Sequence, residues 1–247
     1  MKRMLHVFHD DEFDGPTNMA RDEHLLDDEA GRPASLRIYA WKPPTISLGC
    51  FQRFAQVAEL PHDVRDLPIV RRQTGGGAIL HDREVTYCLV MDDSVALARQ
   101  SPAAAYRLVH ECWQAALAES GIATELAPDS FPLPSPRSGP FFCFEKPGRT
   151  DLLLDGRKLL GSAQRRTRGR VLQHGSLLLD GRFASHPGAH LNSPGKALLA
   201  GWIESFVGQL AERLELTPTT AEWTSDQLAD VAESRAKYAS DEWTRRR

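Results

Sequence analysis

No apolar run in this 247-residue chain approaches the ~18–20 residues that span a bilayer, so no membrane-spanning helix and no membrane partner is expected. Charge of one sign is also missing: 30 Lys plus Arg meet 33 Asp plus Glu, which argues against a surface built broadly for nucleic acid. No Cys-x-x-Cys pair occurs. Cys50, Cys88, Cys112 and Cys143 are spaced by 38, 24 and 31 residues, which excludes the usual structural zinc pattern. The N-terminal Met1 to Asp10 meets acids before an apolar core develops, so no export signal is expected and the thiols are read as free in a cytoplasmic protein. Internal repeats and heptads are absent too. What is present is the apolar and charged balance of an ordinary globular chain, of a length that suits one large domain over 1–247 or two small ones.

Period-3.6 patterning predicts helices over 18–29, 101–120, 196–214 and 225–238, the last two forming a helical segment within 196–247 that packs on the rest. Strand-like runs cover 36–41, 45–48, 69–72, 78–80, 85–91, 122–126, 151–154, 158–165 and 171–179. Asp155-Gly156 between two leucine-rich runs is hairpin chemistry. Strands come in adjacent groups rather than alternating with helices, which predicts an α+β fold with a mixed sheet flanked by helices. The proline-rich stretch Pro128 to Pro140 reads either as a solvent-exposed connector or as a mobile loop that delivers Phe141-Phe142-Cys143-Phe144 to a site. Cys88 and Cys112 lie in apolar strand and helix patterns and are read as buried structural thiols.

Chemistry concentrates in two places. In Arg71-Arg72-Gln73-Thr74-Gly75-Gly76-Gly77-Ala78-Ile79-Leu80-His81-Asp82, three glycines in a row exceed what a tight turn needs. They permit close backbone approach to a carboxylate, carbonyl or phosphate, with Arg72 and His81 flanking as candidate anion contacts. Neither nucleotide-binding glycine fingerprint fits. In the second stretch, Arg157 to Arg170 holds six Lys or Arg and no acid. It reads either as a solvated strand edge or as a positive surface for an acidic partner. Lys158 follows a turn and precedes the small residues Gly161, Ser162 and Ala163, which leave room for a ligand beside its amine.

These runs, together with Gln173-His174-Gly175-Ser176, resemble in sequence and order the motifs of the lipoate-protein ligase A and octanoyltransferase family. Asn18 to Leu26 resembles that family's first helix, and Leu36 to Trp41 with Ser47 to Gln52 resembles the strand pair that follows; the likeness covers 17–179. The resemblance implies a biotin/lipoate ligase-like catalytic domain with a mixed, largely antiparallel sheet. It implies substrate contacts along Arg72, Thr74, Gly75, Gly76, Gly77, His81, Gly161, Ser162, Ala163, His174 and Gly175. Biotin ligases resemble the chain less, since their basic glycine-rich motif precedes the substrate loop, whereas Arg168-Gly169-Arg170 follows the lysine hairpin.

Two mechanisms share that scaffold. A lipoate-protein ligase activates free lipoate with ATP and Mg through a lipoyl-adenylate. An octanoyltransferase takes an octanoyl group from acyl carrier protein, without a cofactor, and passes it to a lysine of a lipoyl-carrier domain. That acceptor is a glycine-cleavage H-type protein or a dehydrogenase E2. Pro140 to Glu145 resembles the segment that carries the nucleophile of cysteine-type octanoyltransferases, which implies Cys143 as nucleophile and Lys158, 15 residues later, as its partner. Gly148-Arg149-Thr150-Asp151 partly resembles a ligase motif and pulls the other way. The transferase is the expectation, with the ligase as alternative and a non-catalytic lipoyl- or nucleic-acid-binding relative as a lesser one. Oxyanion donors are expected among Gly75 to Gly77 or around Gly161 and Ser162.

Overall fold

In the computed structural model, which describes residues 3–27, 31–131, 140–167 and 169–247, the apolar runs become strands that share a buried sheet. Strand β1 (Met4–Phe13) leads into helix α1 (Gly15–Asp27), then β2 (Ala34–Trp41), β3 (Thr45–Leu48), β4 (Ile69–Arg71), β5 (Ile79–His81) and β6 (Glu84–Asp92). Helix α2 (Pro102–Ala118) follows, then β7 (Glu125–Leu126), β8 (Leu152–Leu154), β9 (Arg157–Thr167) and β10 (Arg170–Leu178). The chain continues as α3 (Lys196–Arg213), β11 (Thr217–Thr220), α4 (Ser225–Ala239) and α5 (Asp241–Thr244). Among the described residues, one sheet runs β11-β1-β2-β6-β10-β9-β8-β7, and a smaller one runs β4-β3-β5. Only β1 makes parallel pairs in the large sheet, with β11 and β2; the other pairs are antiparallel, as expected of the α+β class.

Alternation along the strands puts successive side chains on opposite faces. Leu36 and Ile38 of β2 and Val85, Tyr87, Leu89 and Met91 of β6 face α2 and α3, where Trp113 stacks on Phe206 with ring centroids 4.1 Å apart. Tyr39, Trp41, Cys88 and Val90 face the opposite way, towards Met19, Leu25 and Leu26 of α1 and Val231 and Tyr238 of α4. Both faces are therefore covered, which is why β2 and β6 read as nearly continuous apolar runs. The Ser101 hydroxyl caps α2 with Pro102 in its first turn, and Thr224 with Gln227 forms a capping box on α4.

Differences from the expectation have local causes. Strand β1 is hidden in the sequence by Asp10, Asp11 and Glu12. Asp10 is there because buried Arg37 of β2 and Arg21 of α1 reach it at 2.5 and 2.7 Å. Strand β11, Thr-Pro-Thr-Thr, is a short edge strand, the one setting that tolerates proline. The expected strand over 122–126 shrinks to Glu125–Leu126 because the Ile122 amide turns back to the Leu117 carbonyl and finishes α2. The Asp155-Gly156 hairpin forms as read, with φ of 51° and 71°. Most of the proline-rich connector, 132–139, lies outside the described residues. Among the described residues no helix is long and apolar enough to cross a membrane.

Candidate active site

The three glycines answer a topological demand. Strands β4 and β5 lie on opposite sides of β3, so residues 72–78 must arch over the end of β3. A Cβ on Gly49, just past that end, would sit 2.0 Å from the Gly76 carbonyl oxygen, and Gly76 itself has φ of 92°. Arg72 pins the arch from beneath. Its Nε donates to Thr74 Oγ1, Nη1 to Ser47 O and Oγ, and Nη2 to the carbonyls of Gly75 and Gly77. All five guanidinium donors are thus committed, and burial lowers its pKa to about 10. His81 is equally committed, with Nδ1 on Glu84, Nε2 on Ser47 and its ring stacked on Trp41. Both residues hold the loop and its neighbouring strand, and both also line a narrow slot beside the arch. Among the described residues no acceptor takes the amides of Gly75, Gly76 or Gly77, which leaves them as donors for a ligand.

The arch clamps the cysteine segment. Ala78 N donates to Phe141 O and Cys143 N to Ala78 O, each at 2.8 Å. Cys143 opens a 3-10 turn (Cys143–Glu145) and stays partly accessible. Its Sγ lies 3.3 Å from Nζ of Lys158, which is 2% exposed on β9 and pairs with Asp151 at 2.8 Å. Burial alone would lower the Lys158 pKa; the charges of Asp151 and Cys143 outweigh it and raise the ammonium above its ordinary value. The lysine stem needs Gly161: a Cβ there would lie 2.1 Å from Lys158 Cε. Asp151 is the member of this group that the sequence did not single out as a partner. Its Oδ2 also accepts from Gly148 N at 2.7 Å, which fixes the carboxylate.

A second chain of polar groups lies under the arch. Thr74 Oγ1 is 2.7 Å from Nε2 of His174, whose Nδ1 faces Asp22 Oδ2 at 3.0 Å. Burial would raise Asp22, but the His174 hydrogen bond and the Arg37 charge outweigh it and hold the carboxyl below its usual range. Asn18 completes the corner, accepting from Arg37 through its side-chain oxygen and donating to the Phe13 and Ala40 carbonyls. Asn18 and Asp22 are spaced i, i+4 on the buried face of α1, a signal available in the sequence.

Ser162 belongs to a third chain whose direction can be worked out. His110 of α2 is fully buried, and burial lowers its pKa to about 4, so the ring is neutral near pH 7. Thr150 O, 2.5 Å from Nδ1, can only accept, so Nδ1 carries the hydrogen. Nε2 is then bare and accepts from the Ser162 hydroxyl at 2.6 Å, which in turn accepts from Tyr87 at 2.5 Å. Gln173 donates to Tyr87, and Gln164 to Gln173. The Ser162 hydroxyl is therefore engaged inside the fold. Thr150, at φ of 70°, precedes Asp151, so the chain braces the Asp151 carboxylate that pairs with Lys158.

This arrangement predicts an acid sensitivity. An unfolded histidine titrates near 6.5 and the folded His110 near 4, so between those values the unfolded state binds more protons and stability falls as pH falls. His110 alone should remove about 3 kcal/mol at most over that interval. Urea unfolding at pH 7 and pH 4.5 should show a shallower decline in His110→Asn, which keeps a donor for Thr150 O but does not titrate. Equal slopes in the two proteins would refute the assignment.

Beside the arch runs a narrow, nearly closed slot lined by Met19, Tyr39, Trp41, Ile79, His174 and Gly175. Ile79 also packs with Phe144 and Cys143, which joins the slot to the cysteine. Ala163 pairs with His174 across β9 and β10, and Gly175 with Ser162. The cysteine, the lysine, free loop amides and an apolar slot thus converge, while Cys88 and Cys112 are buried in the core as expected.

An octanoyltransferase LipM from Kyrpidia tusciae is 33% identical, with 93% of this chain and 94% of the relative aligned. An octanoyltransferase LipM from Geobacillus kaustophilus is 34% identical over 93% of this chain and 94% of its own. In shape, a putative lipoate protein ligase from T. acidophilum superimposes with a TM-score of 0.78 at 17% identity, over 99% of each chain. The model of the lipoyl protein ligase A/B catalytic domain matches residues 14–230, and the chain belongs to that family.

Proposed function

We propose that the chain is an octanoyltransferase of lipoate biosynthesis that carries the acyl group on Cys143. The observation that supports this most directly is the 3.3 Å contact between Cys143 Sγ and the buried Lys158 ammonium, at the mouth of an apolar slot. A cation there stabilises the negative charge a sulfur nucleophile needs. The octanoyl tail enters the slot, where each buried methylene contributes ~0.8 kcal/mol. Met19, with its flexible side chain, gives way to admit it.

The proton accounting closes on Lys158. The Cys143 thiolate attacks the carrier thioester, the carrier sulfur leaves, and Lys158 supplies its proton. Acylation removes the thiolate that helped hold that proton, which eases the transfer. In the second half the acceptor lysine attacks the Cys143 thioester, its excess proton passes to Lys158, and the thiolate–ammonium pair is restored. Amides of Gly75 to Gly77 receive the oxyanion in both halves, each such donor being worth ~3 kcal/mol. The donor thioester is already activated and the product amide is more stable, so no ATP is consumed. The donor is acyl carrier protein, and the acceptor is a lipoyl domain of the glycine-cleavage or dehydrogenase type.

Incubation with octanoyl carrier protein in the absence of ATP should yield a hydroxylamine-labile octanoyl adduct by intact mass. Addition of a lipoyl domain should discharge it. Acylation that instead requires a free acid and ATP, with no enzyme adduct, would overturn this reading in favour of a ligase.

A further inference from the structure

On the far side of the glycine arch lies an open pocket lined by Gln73, Gly75, Gln164, Arg165, Arg246 and Arg247, with Cys50 and Phe51 at its wall. Arg83, Arg107, Arg213 and Arg235 each have a carboxylate within 4 Å. Arg165, Arg246 and Arg247 have none among the described residues. The tail that carries two of them is held in place: Arg71 Nε donates to Thr244 O, Trp243 Nε1 to Arg71 O, and Phe54 N to Arg247 O. Arg246 stacks on Trp243 and Arg247 on Phe51, so the side chains are oriented by aromatic faces.

Beneath the tail a further unpaired charge is buried. Arg71 is 0% exposed and its Nη2 finds no partner. Its pKa and that of Arg246 lie below the ordinary value, first through burial and then through the neighbouring arginines. A buried guanidinium beside three unpaired cations is costly unless an anion sits among them. The cost is avoided when the ligand brings the anion.

We propose that this pocket binds the phosphate ester of the phosphopantetheine arm on which the acyl donor carries its thioester. Gly75 lines the pocket and Gly77 abuts Cys143, so the pocket and the nucleophile border the same arch. The extended arm is longer than the ~7 Å that two residues of chain span, so it reaches from one to the other with its middle curved along the loop. The pocket's charged groups, Arg165, Arg246 and Arg247, are donors suited to phosphate oxygens, while the amides of Gln73 and Gln164 are engaged by Glu23 and by Pro102 and Gln173. The acceptor lysine brings no phosphate, so the pocket selects for the donor. This inference rests on the octanoyltransferase reading and adds how the donor is recognised.

The test compares two small donors, octanoyl-pantetheine and octanoyl-4′-phosphopantetheine, by the rate of Cys143 acylation followed by mass. Wild-type protein should use the phosphorylated donor at least ~10-fold more efficiently, as expected for charge-assisted hydrogen bonds of ~1.5–3 kcal/mol. The advantage should shrink with added salt. In the Arg165→Ala/Arg246→Ala double variant the ratio of the two donors should fall to about one. A wild-type ratio near one, or a ratio unchanged in the double variant, overturns the phosphate site while leaving the transferase intact. Acylation by neither donor removes the transferase reading itself. Saturable ATP binding that depends on the same two arginines, with no preference between the donors, assigns the pocket to a nucleotide and overturns the proposal.

Discussion

Cys143→Ala should abolish both the octanoyl-enzyme adduct and net transfer to a lipoyl domain, with a rate loss on the order of 10⁴-fold or more. The size follows from the chemistry: without the sulfur, a single direct attack of an amine on a carrier-bound thioester must replace two easier steps. The fold should survive, because Cys143 is only half-buried and its backbone contacts, Cys143 N to Ala78 O and Ala78 N to Phe141 O, do not use the side chain. Thermal unfolding should therefore shift by no more than a few degrees. Cys143→Ser sharpens the test, since a hydroxyl has the shape of the thiol but little nucleophilicity beside a cation that cannot deprotonate it. It should bind donor and transfer poorly. Adduct formation in the alanine variant would place the nucleophile elsewhere, with Cys50, at the wall of the neighbouring pocket, the next thiol to examine.

Much of the frame was legible because burial leaves periodic traces. Helices α2, α3 and α4 and strands β2, β3 and β6 carry apolar patterns, and their ends carry Ser101, Pro102 and Thr224. Strand β1 escaped because its acids serve Arg21 and Arg37 at a distance in sequence, which local patterning cannot report, and the short β11 and α5 escaped with it. The same limit governed the site. Cys143 and Lys158 stood out through motif and setting. Asp151, His110 and Asp22 did not, since a buried carboxylate and a neutral imidazole are defined by partners 7 to 152 residues away. Arg72 and His81 were read as ligand contacts because a cation beside glycines suggests an anion. The fold adds partners that patterning does not report: the Gly75 and Gly77 carbonyls for Arg72, and Glu84 and Ser47 for His81.

The placement of Lys158 makes its removal the second severe change. Lys158→Ala would leave the Asp151 carboxylate buried without its cation, a loss of about 3–5 kcal/mol that would mix misfolding with catalysis. Lys158→Met paired with Asp151→Asn avoids this, keeping the volume of the stem over Gly161 while neutralising both members of the ion pair. The double variant should fold with a melting temperature near wild type. Transfer should fall by on the order of 10³-fold, since both the charge facing the sulfur and the proton carrier for the thioester exchange and the following aminolysis are gone. A catalytic role for Lys158 makes a finer demand than lost activity. The profile of Cys143 alkylation against iodoacetamide concentration should show a lower rate in the double variant, because no ammonium then faces Sγ at 3.3 Å. The adduct from octanoyl carrier protein should form slowly, and once formed should be discharged by a lipoyl domain more slowly still, as the acceptor amine has lost its base. An unchanged alkylation profile together with full transfer would reduce Lys158 to a structural partner of Asp151. An unchanged profile with lost transfer would confine it to moving the proton.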